Sequence, residues 1–251
     1  MIYFIGAGPG AADLITVRGK ILLEQADIVI YAGSLVNPAL LAYTKPECKI
    51  YNSATLTLEE VMAIMAAPDN RDKLVVRLHT GDPCLYGAIR EQMDLLDTYG
   101  LEYEVVPGVS SFLGAAAALK AEYTLPDVSQ TVILTRLEGR TPVPAKEDMA
   151  KLAVHNASMV VFLSAGMLEE LSQRLIAGGY APTTPAAIVY KATWPDQKVV
   201  RTTVKDLAQA AAANAIRKTA LILVGDFLGS KYSRSKLYDP SFTHEYREAS
   251  Q

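Results

Sequence analysis

Short runs of β-branched and aliphatic residues alternate with longer stretches of helical periodicity along the chain, and no other feature restricts its fold as much. A strand that returns parallel to its predecessor needs a crossover of a dozen or more residues, usually a helix. Such alternation therefore points to α/β architecture with mostly parallel or mixed sheets. The runs at 2–5, 28–31, 74–78 and 103–106 read as strands, and 14–25, 58–65, 89–96 and 112–119 as helices. In the third of these helices Glu91 and Asp94 stand against Met93, Leu95 and Leu96. The alanines of the fourth predict a buried helix that lets its neighbours approach closely.

The composition changes at 123–130, where Pro126, Asp127 and Ser129 mark a connector ahead of a new strand at 131–135. The expected division is thus 1–126 and 127–251, two α/β domains. The second half reads as a loop at 138–144, helices at 147–154, 168–176 and 204–213, and strands at 159–163, 186–190, 199–202 and 221–224. Only a loop separates the strands at 186–190 and 199–202, which predicts an antiparallel pair in a mixed sheet. The polar tail after Gly229 is expected to be partly ordered, at a subunit interface.

With 50% apolar and 20% charged residues in 251, the chain has ordinary globular composition and enough length for a sizeable core. A net charge of -3 speaks against a nucleic-acid partner, which calls for a basic excess. The opening MIYFIGAGPG lacks a charged segment followed by a long apolar one, and no apolar run reaches bilayer length. The expectation is a soluble cytoplasmic protein with no membrane partner. Cys48 and Cys84 cannot build a disulfide framework, and His79, His155 and His244 lack ligand spacing, so no metal site is expected.

The first strand runs into Gly6-Ala7-Gly8-Pro9-Gly10, with Asp27 about 20 residues on, as in a dinucleotide fingerprint. Pro9 spoils the match, because it removes a backbone N–H from the loop that would cradle a pyrophosphate. A ligand-free tight turn is the plainer alternative. Two similar loops follow later strands, TGDPCLYG at 80–87 and PGVSS at 107–111. In an open parallel sheet all three lie along one edge, where α/β ligands bind. Ser110 and Ser111 sit where hydroxyls or N–H groups at a helix start either cap the helix or hold a carboxylate, and both roles stay open.

These loops, with VVFLS at 160–164, YKATWPDQ at 190–197 and TALILVG at 219–225, resemble the tetrapyrrole methylases. That family comprises S-adenosylmethionine-dependent methyltransferases of two α/β domains with the cofactor in the cleft between them. Within it, QTVILTRLEGRTPVP at 130–144 and ATWPDQKVVRTTV at 192–204 are most similar to the members that methylate C11 of precorrin-4 in corrin (cobalamin) biosynthesis. The resemblance implies S-adenosylmethionine as methyl donor, S-adenosylhomocysteine as product, precorrin-4 or cobalt-precorrin-4 as substrate, and a homodimer. It places cofactor contacts at Pro9, Gly81, Asp82, Leu85, Ser110, Ser111, Leu163, Ala192 and Ala220. Ser111 departs from the alanine frequent in siroheme-type members, and Cys84 fills a variable place.

A sulfonium methyl is already activated, so the enzyme chiefly aligns the accepting carbon with it and excludes water. The acetate and propionate groups of a corrin precursor call for basic residues. The candidates are Arg136, Arg140, Lys191 and Arg201, with Arg18 and Arg90 available from the first domain. No proton acceptor is identified: Asp82, Tyr86 and Glu138 are the candidates, and Asp82 equally fits a turn brace ahead of Pro83. A Cys84–His79 nucleophile lacks a third, orienting group. Trp194 either stacks on the macrocycle or plugs the domain interface. The rival functions are methylation at another tetrapyrrole position and a non-catalytic nucleotide-binding regulator.

Overall fold

The computed structural model describes residues 1–33 and 35–249. The chain gathers into two compact units, Met1–Ala115 with Lys191–Gln197, and Ala116–Tyr190 with Lys198–Gln251. The expected division at 126/127 lies later along the chain and lacks the excursion of 191–197 into the first unit.

The first unit holds a five-stranded sheet of β1 (Ile2–Gly6), β2 (Ile28–Tyr31), β3 (Lys49–Asn52), β4 (Val75–His79) and β5 (Tyr103–Val106), in the order β3-β2-β4-β1-β5. Every pairing in it is parallel. The helices are α1 (Val17–Gln25), α2 (Leu58–Met65), α3 (Arg90–Thr98) and α4 (Ser111–Leu119). Side chains alternate across each strand, so Ile5, Val29, Val76 and Leu78 pack with Leu23 of α1, while Phe4, Ile28, Ile30 and Val75 pack with Val61, Met62 and Met65 of α2 and Leu96 of α3. Both faces are therefore covered, which explains why β4 is buried at every position despite carrying Arg77 and His79.

Local chemistry sets the helix starts. The Thr16 hydroxyl accepts the Gly19 N–H, so α1 begins at Val17, and the expected helical residues 14–16 instead form the end of a short 3-10 turn and a cap. Thr57 and Glu60 form a reciprocal capping box that fixes the start of α2 where the sequence placed it. The strand β3 escapes a hydrophobicity reading because KIYN is a mostly exposed edge strand.

The second unit holds β6 (Val132–Arg136), β7 (Ser158–Phe162), β8 (Pro185–Tyr190), β9 (Lys198–Thr203) and β10 (Ala220–Val224), in the order β6-β7-β10-β8-β9. Only β6 and β7 run parallel; β10 is antiparallel to β7 and β8, and β8 pairs antiparallel with β9 as its short connection requires. Helices α5 (Met149–Ala153), α6 (Leu168–Ala177) and α7 (Leu207–Ala213) contribute Met149, Leu171, Leu175 and Leu207 to a core with Met159, Val161, Ile188 and Ile222. Among the described residues no helix is long and apolar enough to cross a membrane.

Candidate functional site

In the first unit the connections leaving β1 and β4 diverge. The chain passes from β1 through α1 to β2 on one face, and from β4 through α3 to β5 on the other. Because β1 and β4 are neighbours, their carboxyl ends open a crevice at the topological switch point, where open α/β sheets bind ligands. Gly6 lies opposite His79, and Ile5 opposite Val106, so the three glycine loops start from one level of the sheet.

The loops meet at backbone contact. Gly8 and Gly81 exchange hydrogen bonds of 3.2 and 2.8 Å. A Cβ on Gly108 would lie 2.2 Å from the Gly81 oxygen and 2.7 Å from Gly6 Cα. The glycines at 6 and 108 are thus demanded by loop-on-loop packing, whereas Gly81 is demanded by its backbone, at φ +60°. Asp82 ties the cluster: Oδ1 accepts the Cys84 N–H and Oδ2 the Gly108 N–H, both at 2.8 Å. The turn-brace role of this carboxylate is therefore realised, and it extends to the neighbouring loop.

Helix α4 starts at this edge, with Ser110 buried and its carbonyl accepting the Leu113 and Gly114 N–H groups. The N–H groups at the start of the helix carry the positive end of its dipole, a donor set suited to a carboxylate. Pro9 packs against Gly114, where a Cβ would come within 2.7 Å of the proline ring. Leu85 and the half-exposed Tyr86 follow Asp82 in a loop whose Tyr86 and Ala88 hold φ of 57° and 48°. Non-glycine residues in this region persist only where surroundings impose it, and they concentrate at functional sites.

The segment 191–197 completes the rim within this unit. The Ala11 N–H donates to Thr193 Oγ1 at 2.9 Å, and Trp194 lies so close over Gly10 that a Cβ there would be 2.1 Å from the indole. Lys191 pairs with Asp196 at 2.6 Å and sits over the Trp194 ring at 5.1 Å. Trp194 thus covers the first glycine loop. Ala192 is buried between Lys191 and Thr193, whose φ of 46° and 68° mark a second strained loop.

In the second unit, Leu163 is 64% exposed with φ 54° just past β7. Its neighbour explains the conformation: the fully buried Ser164 hydroxyl donates to Phe162 C=O and accepts the Leu137 N–H, folding the chain over Leu163. Sequence reading missed Ser164, although a serine closing an apolar strand was the available signal. Ala220 opens β10 opposite Tyr190, directly after Thr219 with φ 56°.

The basic candidates divide. Arg136 bonds the carbonyls of Leu137, Thr141 and Pro142, so its guanidinium braces its own loop. Arg201 likewise bonds the carbonyls of Leu228 and Leu119, both at 3.1 Å. Arg140 and Glu138 are exposed on the loop that Arg136 braces. In the first unit Arg18 pairs with Glu104, and Arg90 with Asp94 at 2.8 Å, both on the surface. Asp27 stands before β2, at the sheet end away from the glycine loops, paired with Lys45 at 2.6 Å and accepting the Leu74 N–H. A ribose-binding acid is needed at the other end, so the dinucleotide alternative fails. Burial and the Asp82 charge push the Cys84 thiol up, and burial drives the His79 imidazole down to about 3, so neither suits nucleophilic catalysis. Among the described residues no three His, Cys, Asp or Glu side chains group as metal ligands.

A doubly wound parallel sheet with pinned glycine loops at its switch point, followed by a mixed sheet, is the architecture of a ligand-binding α/β protein. The chain belongs to the tetrapyrrole (corrin/porphyrin) methylases, which it matches over residues 1–208. Cobalt-precorrin-4 C(11)-methyltransferase of Methanocaldococcus jannaschii is 53% identical over 249 residues, covering 99% of this chain and 96% of the relative. The X-ray structure of a cobalamin biosynthetic enzyme, cobalt precorrin-4 methyltransferase, is 52% identical with a TM-score of 0.89, covering 91% of this chain and 96% of that one. Uroporphyrin-III C-methyl transferase from Thermus thermophilus, complexed with S-adenosyl homocysteine, is 25% identical with a TM-score of 0.75, covering 90% and 92%. The family read from the sequence motifs is thereby established.

Proposed function

We propose that this chain transfers a methyl group from S-adenosylmethionine to C11 of cobalt-precorrin-4, or of its cobalt-free counterpart, during corrin-ring construction. The observation that carries the reading is the crevice between β1 and β4, rimmed by the loops at 6–11, 80–87, 107–111 and 191–197, in a chain 53% identical to a methyltransferase of that name. When bound, the cofactor supplies an activated methyl group on a sulfonium. Gly81, Asp82 and Leu85 hold the methionine part against the pinned backbone, and the N–H groups at Ser110 and Ser111 receive its carboxylate. Pro9 and Ala192 give apolar walls, with Leu163 and Ala220 as the remaining cofactor positions. Aligning donor and acceptor and excluding water is the catalytic contribution asked of these residues. Asp82, already accepting two N–H bonds, acts as a brace, and the conjugated ring supplies its own electrons.

On the substrate side, Arg140, exposed on its loop, is assigned to a ring carboxylate, with Arg136 shaping that loop and Lys191 and Arg201 kept as further substrate-binding candidates. The protein works as a cytoplasmic homodimer in this reading, supported by Tyr232, Tyr238 and Tyr246, which are 60, 79 and 87% exposed in the tail; light scattering tests it. The function itself is tested by calorimetric titration with S-adenosylhomocysteine, followed by mass analysis of cobalt-precorrin-4 incubated with enzyme and S-adenosylmethionine. Gain of one methyl group, located at C11, is the expected result. Binding without transfer would favour a nucleotide-binding regulator, and methylation at another carbon a different branch of the family.

A further inference from the structure

The face of the first sheet under α2 and α3 buries a cation that, among the described residues, forms no salt bridge. Arg77 is 7% exposed, and its guanidinium meets two neutral acceptors at 3.2 Å, the Ile30 carbonyl and Gln92 Oε1. Burial alone draws its pKa down to about 10, which leaves it charged at neutral pH. A buried charge without a counterion is unfavourable, so its few acceptors matter. Gln92, 5% exposed on α3, uses its other arm to donate from Nε2 to the Ala88 carbonyl at 3.0 Å. Arginine only donates and a carbonyl only accepts, so the residue joining them must do both, and its two partners fix which way the amide faces.

Ala88 is the far foot of a tight arch at 83–88. Tyr86 and Ala88 hold left-handed φ of 57° and 48°, and a Cβ on Gly87 would lie 2.0 Å from the Pro83 oxygen. The strained conformation therefore needs an external hold. We propose that Gln92 is a positioning residue for the methyl-transfer site: anchored by Arg77, it grips the Ala88 carbonyl and keeps the arch in the shape that presents Gly81, Asp82 and Leu85 to the cofactor. This rests on the reading that the 80–87 loop binds S-adenosylmethionine.

The discriminating variant is Gln92→Glu. A carboxylate satisfies Arg77 as well as the amide does, or better, but cannot donate to Ala88. Folding stability should hold or rise, amide exchange over 84–89 should quicken, and S-adenosylhomocysteine affinity should fall about tenfold, the worth of roughly one hydrogen bond. The double variant Arg77→Met with Gln92→Met removes the buried charge together with its acceptor, so it provides a folded protein even if Gln92→Glu does not. It should show the same faster exchange and weaker binding. Exchange unchanged in whichever variant folds would overturn the positioning role. Faster exchange with unchanged affinity would overturn instead the assignment of this loop to the cofactor, provided the parent chain binds S-adenosylhomocysteine.

Discussion

The Asp82 carboxylate accepts the Gly108 N–H at 2.8 Å and so locks the loop after β4 to the loop after β5. Its other oxygen holds Cys84, which makes both oxygens structural. Asp82→Ala should lower folding stability by about 3 to 6 kcal/mol, because it removes two hydrogen bonds to a charged group, each worth about 1.5 to 3 kcal/mol. Asp82→Asn, which retains one acceptor, should cost about half as much and should reduce turnover only in proportion to lost cofactor affinity. Chemical denaturation read beside kinetics decides it: full stability with abolished turnover in Asp82→Asn would restore a general-base role.

Gly108→Ala places a methyl 2.2 Å from the Gly81 oxygen, with only backbone around it. Separation of the loops should cost about 3 kcal/mol and weaken S-adenosylhomocysteine binding as well. Gly81→Val differs in kind. At φ +60° it forces a β-branched residue into the left-handed region, so stability and cofactor affinity should fall together. Calorimetric binding together with melting curves would contradict this if affinity vanished with the melting temperature unmoved.

Arg136 and Arg140 should separate cleanly. Arg140→Ala, on an exposed loop, should weaken tetrapyrrole binding on the order of 10-fold to 100-fold and leave stability alone. Arg136→Ala removes bonds to Leu137, Thr141 and Pro142, so it should loosen the 137–142 loop and reduce substrate binding indirectly, with faster amide exchange there. Equal exchange in both variants would argue that Arg136 is no brace.

His79 makes the first unit acid-sensitive. Its pKa lies near 3 in the fold against about 6.5 in an unfolded chain, lowered first by burial and then by Arg77. The unfolded state binds the extra proton, so stability is full above about pH 6.5 and declines as pH falls toward 3, by up to about 1.4 kcal/mol per unit. His79→Leu also removes the unpaired Nε2. Its stability should vary less between pH 6 and 4 than that of the parent, and parallel urea titrations at those values would show no difference if His79 stayed charged in the fold.

Asp27 has the opposite sign. The Lys45 ammonium, and then the Leu74 N–H, hold its carboxyl below the usual range, so its contribution is present above about pH 3.9 and is lost as pH falls through the folded value. Asp27→Asn should destabilise at neutral pH, with the difference shrinking in acid, and should leave cofactor affinity untouched. A change in that affinity would return Asp27 to the binding site.

The sequence determined the alternation of strands and helices, the antiparallel β8–β9 pair, the glycine loops and the family, because hydrophobic period and turn chemistry are local properties. The Thr57–Glu60 box fixed the start of α2 for the same reason. What each side chain does at the site was decided by partners distant in the chain. Arg136 reads as a free cation until the carbonyls at 137, 141 and 142 are seen around it, and Gly108 as a ligand-facing glycine until Gly81 is found against it. Arg77 and Gln92 carry no motif, and only the packing of α3 on β4 brings donor and acceptor together. The excursion of 191–197 onto the first glycine loop likewise depends on contacts such as Thr193 with Ala11, 182 residues apart, which no local pattern encodes.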